Sequence, residues 1–322
     1  MVKRKPSETN LLLAVDKPVG ITSHDAVALV RRALNERRVG HAGTLDPLAS
    51  GVMVIGVGQA TRLLGRITLD RKSYLARIAF GYETNTDDAE GEVTRTIAPA
   101  PELSNPDFAS HVLAGFLGLQ EQVPPAFSAI SVDGVRSYRR ARAGEEVELP
   151  ARPIEVYAAD LIGVEPACDV SGPVWTVSFT VSKGTYIRSL ARDIGRAAQA
   201  AAHIADLRRT SSGNISLRMC IGLDVLDRTV ARARCLDPVA VLGLPALDLT
   251  DDALADVLVG RSVSLSSLAP HAGTPCAVGE TGANASAPVA LVHGGELRAI
   301  AVTDGARVRM QDVFPQGIGG VL

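Results

Sequence analysis

Gly40-His41-Ala42-Gly43-Thr44-Leu45-Asp46-Pro47-Leu48-Ala49-Ser50 leads directly into Gly51-Val52-Met53-Val54-Ile55-Gly56-Val57. Residues 52–57 read as a buried strand, β-branched and bounded by glycine. The stretch before them holds one carboxylate, Asp46, between the apolar Leu45, Pro47 and Leu48. A residue that precedes proline is pushed from helical toward extended backbone. Asp46 is therefore expected on a stiff loop, with Gly40, Gly43 and Gly51 letting the chain bend around it. A carboxylate fixed on a loop at the edge of a sheet is a common placement for chemistry. An ordinary Asx-turn in a glycine-rich connection uses the same residue types, so the rest of the chain has to decide.

Working outward, Leu11–Val15 reads as a strand entering a turn at Asp16-Lys17-Pro18-Val19-Gly20. Thr22-Ser23-His24-Asp25 has capping-box spacing, and Val27, Val30 and Leu34 follow at helical period. Tyr74, Ala76, Ile78 and Phe80 alternate onto one face of a half-buried strand. Residues 84–91 read as a polar surface loop, and Val132-Asp133-Gly134-Val135 as a hairpin. Trp175, Val177, Phe179 and Val181 mark a strand that stops at Lys183-Gly184-Thr185. A helix then starts near Tyr186, its inner face marked by Ile187, Leu190, Ala191, Ile194 and Ala198. Strands and helices mix without regular βαβ alternation, which predicts an α+β fold with a mixed, largely antiparallel sheet. After about Pro238 the composition shifts. Residues 241–249 read as a linker, and Gly294-Gly295 separates two short strands as in a tight hairpin.

The chain has 322 residues, 46% hydrophobic and 21% charged, enough for a real core and too apolar for disorder. Its four cysteines, Cys168, Cys220, Cys235 and Cys276, form no C-x-x-C pair, so neither a zinc site nor a disulfide framework is expected. The basic start Met1-Val2-Lys3-Arg4-Lys5-Pro6 has no apolar segment behind it and does not read as a secretory signal. Ser, Pro and Gly break the uncharged stretch 262–279, which excludes a membrane span there. The expected setting is the cytoplasm. Net charge is −2, and residues 241–322 carry four arginines against eight carboxylates. Any nucleic-acid footprint must be a local patch, not a global field.

Four ordered blocks between residues 10 and 215 resemble the TruB family of bacterial tRNA pseudouridine synthases. They are the Asp46 block, Arg71-Lys72-Ser73-Tyr74, Gln122-Val123-Pro124-Pro125-Ala126-Phe127-Ser128-Ala129-Ile130, and Ser182-Lys183-Gly184-Thr185-Tyr186-Ile187-Arg188-Ser189-Leu190; Ala202–Thr210 is similar to the family's helix-to-strand stretch as well. The resemblance implies a pseudouridine synthase catalytic fold over residues 8–238 and a small β-rich, PUA-like domain over 245–322. It implies isomerisation of uridine 55 in the tRNA T-loop, with Asp46 as nucleophile and no cofactor or metal. Tyr74 would stack on the base and take its C5 proton, and Arg188 would pair with Asp46 and aim it. Tyr186 would line the uracil pocket, the backbone of Leu207 would meet the uracil edge, and His41 would help extrude the base. The T-arm stem-loop is the implied partner. The chain is read as a monomer without an obligate protein partner, with room for a tRNA-folding role beside catalysis.

Two points hold without the resemblance, and one marks a departure from it. A buried Arg188 would find no acid among its helical neighbours Gly184, Thr185, Ala191 and Arg192, and Arg192 would repel it, so its counter-charge must come from elsewhere. Arg208 and Arg209 could reach phosphates or simply be solvated. Ser131 stands where the family usually has a basic residue, and Arg136, Arg139, Arg140 and Arg142 just beyond it either compensate or form a charged face with Glu145, Glu146 and Glu148.

Overall fold

The computed structural model describes residues 6–67, 71–128, 149–166, 172–272 and 287–322, together with 130–132, 135–137, 140, 143 and 145. β1 (Leu11–Lys17) opens the fold with Leu12, Leu13, Ala14 and Val15 fully buried. α1 (Ser23–Leu34) starts on the expected capping box. Thr22 Oγ1 accepts from the Asp25 N–H at 3.1 Å, and the Asp25 carboxylate accepts from the Thr22 N–H at 2.9 Å. Ala26, Val27, Val30 and Leu34 form its buried face, and Asn35, left-handed at φ 48°, ends it. β2 (Val39–Ala42) then runs antiparallel to β3 (Ala49–Val57), which is buried along its whole length and starts three residues earlier than its sequence pattern suggests.

The middle of the chain supplies β4 (Arg71–Phe80), β5 (Tyr82–Thr84), β6 (Val93–Thr96), α2 (Pro106–Ala114) and β7 (Gly118–Gln122). The short β8 (Ser131–Val132) and β9 (Val135–Arg136) pair antiparallel, as the hairpin reading requires, although Asp133-Gly134 lies outside the described residues. The side chains of Ser131 and Arg136, and most of the charged cluster beyond, also lie outside them. β10 (Arg152–Glu165), β11 (Val174–Ser182), α3 (Ile187–Ala197) and β12 (Ala202–Ser212) follow.

The remainder carries β13 (Ile215–Ser216), β14 (Ile221–Gly222), α4 (Arg228–Ala233), α5 (Pro238–Leu242), β15 (Ala246–Asp248) and α6 (Asp251–Leu258). It ends with β16 (Val263–Ser264), β17 (Ala269–Pro270), β18 (Pro288–His293), β19 (Glu296–Asp304) and β20 (Arg307–Gly319). Among the described residues no helix is long and apolar enough to cross a membrane.

These elements form two compact units. One comprises Met1–Pro47, Val52–Thr68 and Asn214–Leu322, the other Leu48–Gly51 and Leu69–Gly213. In the first, strands run in the order β17-β15-β18-β19-β20-β1-β3. One core packs α1 against β1, β3, Ile221, Leu226 and Ala231, and a second gathers Leu247, Leu249, Val257, Leu291, Ala301 and Val308. The β18–β19 hairpin turns through Gly294 and Gly295 at φ 60° and 72°, the double positive φ of a two-residue turn that glycine alone adopts freely. Residues 241–249 are not a linker. β15 pairs parallel with β18 and antiparallel with β17, with Ala246 and Leu247 buried. β20 also meets the start of the chain. Leu11 pairs with Gly319, Gln59 bonds Gln316 at 2.7 Å, and Arg62 and Arg66 both reach Asp312.

In the second unit β12 lies parallel to residues 49–51 and antiparallel to β4, and β4, β11, β10 and β7 continue antiparallel. Trp175 is fully buried, and its indole N–H donates to Leu103 O at 2.7 Å. α3 packs on β12 through Gly195, where a Cβ would stand 2.6 Å from that of Ala202. Both units bear out the α+β reading with a mixed, mostly antiparallel sheet.

Candidate active site

The Asp46 loop belongs to the first unit, where the turn before α1 braces it. Ser23 Oγ donates to Leu45 O and accepts from Leu45 N, both at 2.9 Å, so one buried hydroxyl fixes both peptide groups of the residue before Asp46. On the other side, Gly20 N donates to Pro47 O at 2.9 Å. Lys17 is fully buried beneath, its Nζ donating to Pro18 O at 2.8 Å, Ile21 O at 2.7 Å and Pro47 O at 3.4 Å. Asp46 itself is half-buried. Gly43 (φ 78°) and Gly51 (φ 108°) take left-handed backbone as the bend requires, whereas Gly40 does not bend and pairs with Gly56 inside β2. His41 sits on β2, its ring edge-on to His24 with centroids 5.9 Å apart.

The other expected residues lie in the second unit. Arg188, in the first turn of α3, is buried and not a solvated surface arginine. Its Nη1 donates to Thr86 O at 2.7 Å and lies 3.4 Å from Asp88 Oδ2, and its Nη2 donates to Phe127 O at 3.1 Å. Asp88 thus supplies a counter-charge from outside the helix. It comes from the segment 84–91, which is no surface loop at its centre, because Thr84, Asp87 and Asp88 are buried. Ile204 N donates to Asp87 O at 3.1 Å and Ala89 N to Ile204 O at 3.0 Å, stitching the segment to β12. Asp87 holds a left-handed φ of 59°, and its carboxylate takes Arg192 Nη1 at 2.9 Å. Arg192 is therefore engaged by carboxylates, not left to repel Arg188. Burial pushes the Asp87 carboxyl up, and Arg192 and Arg188 pull against it. Burial also pushes the neighbouring Glu83 carboxyl up, but Arg196 and Arg95 outweigh it and hold that group below its ordinary value.

Tyr74 is buried on β4, opposite Phe179 of β11 and Arg209 of β12. The expected face holds: Tyr74, Ala76, Ile78 and Phe80 are all buried. Leu207 stands two pairs along β12, buried between Ala76 and Ala49. Arg209 is fully buried, so it is neither solvated nor an open phosphate contact, while Arg208 Nη1 donates to Ser50 Oγ at 3.1 Å. Burial, and next the charge of Arg209, bring the Lys72 ammonium down to about 8. Tyr186 precedes α3 with its N–H on Gln122 Oε1 at 2.9 Å and its carbonyl on Gln122 Nε2 at 3.1 Å. The second unit thus groups Tyr74, Leu207 and Arg209 on adjacent strands, with Arg188 and Tyr186 at the head of α3. The sequence reading missed Asp87 and Asp88. The signal for Asp88 was indirect, the lack of any acid near Arg188 on its own helix.

Among the described residues no group of three or more His, Cys, Asp or Glu stands close enough to hold a metal ion.

Residues 31–187 match the model of the TruB family pseudouridylate synthase N-terminal domain, and residues 188–242 match the tRNA pseudouridylate synthase B C-terminal domain. The chain belongs to the TruB family of pseudouridine synthases. A TruB relative from Mycobacteroides abscessus, named tRNA pseudouridine synthase B, is 45% identical over 79% of this chain and 84% of its own length. Another of that name from Paenarthrobacter aurescens is 42% identical over 95% of both chains. Among solved structures, a chain from a Cbf5-Nop10-Gar1 complex superposes with a TM-score of 0.62 at 26% identity, covering 94% of this chain and 84% of that one. A chain from an H/ACA ribonucleoprotein bound to a substrate RNA containing 2'-deoxyuridine gives 0.63 at 24% identity with the same coverage, which speaks to the fold alone. Asp46, Tyr74 and Tyr186 fall within the TruB N-terminal match, and Arg188 and Leu207 within the C-terminal one.

Proposed function

We propose that this chain is a tRNA pseudouridine synthase that isomerises uridine 55 of the T-loop, with Asp46 as nucleophile. The observation that carries the reading is the Asp46 loop, a half-buried carboxylate on a backbone braced from both sides, inside the residues the family model matches. The reaction breaks the bond from C1′ to N1, turns the uracil and joins C1′ to C5; C5 gives up its proton and N1 takes one up. It is redox-neutral and takes no cofactor.

In this reading the uridine is flipped from the T-loop at a cost of about a few kcal/mol. His41 helps extrude it and Tyr74 stacks on it, offsetting that cost. Tyr74 takes the C5 proton, Tyr186 lines the pocket, and the backbone of Leu207 meets the uracil edge. Arg188 aims the Asp46 carboxylate through paired guanidinium contacts. Residues 8–238 form the catalytic domain and 245–322 a PUA-like domain of a monomer working in the cytoplasm on the T-arm. Opening and reclosing that arm would serve tRNA folding as well.

Asp46→Asn tests the assignment. Pseudouridine in a T-arm stem-loop, mapped by carbodiimide, should fall to background while binding stays within about tenfold, because the group removed is a nucleophile and not a phosphate contact. Appreciable turnover by this variant would sink it.

A further inference from the structure

The exposed face of α1 leads away from the Asp46 loop. His24, Ala28, Arg31, Arg32 and Asn35 recur at helical spacing along it. At its far end Ala28, Arg31, Arg32, Asn35, Glu36 and Arg37 line an open cleft of about 460 Å³. Arginines in a last turn can serve only to offset the helix dipole, and Arg31 is occupied, its Nη2 donating to Val39 O at 2.8 Å. The dipole does not account for the rest. Arg37 lies beyond the helix, and among the described residues no hydrogen bond or ion pair engages the guanidinium of Arg32 or Arg37. The acids nearby are occupied: Glu36 Oε1 accepts from Arg38 N at 2.9 Å, and Asp25 is held in the capping box. Ala28 leaves the floor low enough for a backbone to approach.

We propose that this cleft takes the phosphate backbone of the tRNA stem, away from the target uridine. This rests on the tRNA reading above. Ser23, at the near end of α1, holds the Asp46 loop. Arg32 follows nine residues later, about 14 Å farther on at about 1.5 Å each. That spans about four nucleotides of a stacked strand at roughly 3.4 Å each. A substrate whose flipped base meets Asp46 and whose stem follows α1 therefore presents its sugar-phosphate chain to Arg32 and Arg37. Free guanidinium groups pair with phosphate oxygens in a planar fork, and each phosphate neutralised adds nearly one to the salt slope of binding.

The test is R32E/R37E, two exposed sites, in the full chain, with circular dichroism melting to verify the fold. Kd is measured against salt for a T-arm stem-loop and for the same loop with the loop-distal stem pairs removed, and kcat at saturating RNA. With the long stem, binding should weaken at least about tenfold at low salt and the slope should fall by about two, while kcat stays within about twofold. With the short stem, wild type and variant should bind alike. R32K/R37K should retain most of the slope. An unchanged Kd and slope on the long stem, or equal weakening on both RNAs, would overturn the proposal. Absence of pseudouridine formation by the wild-type protein would instead overturn the functional reading on which it rests.

Discussion

The loop bearing Asp46 and the helix turn bearing Arg188 differ in how much charge holds them. Around Asp46 the tethers run to the backbone: a serine hydroxyl, a glycine amide and the buried ammonium of Lys17, all directed at peptide groups. Around Arg188 ion pairs join two bonds to the backbone carbonyls of Thr86 and Phe127. Asp88 faces Arg188, Asp87 takes Arg192, and Glu83 takes Arg196 and Arg95, with all three carboxylates buried. A backbone tether fixes where a side chain starts and tolerates changes of salt and pH. Buried charges fix orientation more tightly but depend on every partner, since removing one strands the other at about 3–5 kcal/mol. The candidate nucleophile is thus positioned, and its proposed partner is aimed.

The largest effect should come from the ionic side. In Arg188→Lys one ammonium replaces a fork that serves Thr86 O, Phe127 O and Asp88 together. It keeps the charge and loses the direction. A loss of at least about 100-fold in kcat is expected, the scale of a misplaced catalytic group, with T-arm affinity little changed. Wild-type turnover by this variant would show that direction is not what the lattice of charges provides.

Ser23→Ala probes the backbone side and should do less. It leaves the Leu45 N–H and C=O without their hydroxyl partner, a cost of about 1–3 kcal/mol by urea titration. A drop in kcat of about tenfold should accompany it, and the ratio to wild type should not vary between low and high salt, because no charge is removed. Loss of stability with unchanged kcat would mean that Ser23 supports the fold and not the placement of Asp46.

What the sequence made legible follows the same division. The Thr22–Asp25 capping box, the buried face of β4 and the Gly294-Gly295 turn are local, each decided by residues within a few positions of one another. The bend around Asp46 was local too, at Gly43 and Gly51. The ionic lattice was not. Asp87 meets Arg192 105 positions later and Ser189 102 positions later, so nothing beside Asp87 in the chain marks it as buried. Arg209 reads as half of a solvated pair until β12 is set between β4 and residues 49–51. Residues 241–249 likewise read as a linker because the partner that makes Ala246–Asp248 a strand is Ala290–Val292, beyond a long insertion.

The smallest effect falls on Lys72, a cation two residues from Tyr74 whose ammonium is brought down to about 8. Lys72 precedes Tyr74 by two residues on β4, so both point to one face. Burial first, and then Arg209, bring its ammonium from 10.5 to about 8. For the protein alone, a base lowered in the fold contributes stability that is full above its unfolded value and is lost as pH falls through 8. RNA reverses the balance. A phosphate near Lys72 favours the ammonium, so binding takes up a proton and Kd should rise as pH climbs through 8, by no more than tenfold per unit. Between pH 7 and 9 a severalfold weakening for the T-arm stem-loop is expected. Lys72→Arg keeps its charge throughout that range and should bind with nearly constant Kd, so any ionisation of the RNA itself cancels in the comparison. Equal pH dependence in both proteins would place the titrating group elsewhere and leave Lys72 a packing residue beside Arg209.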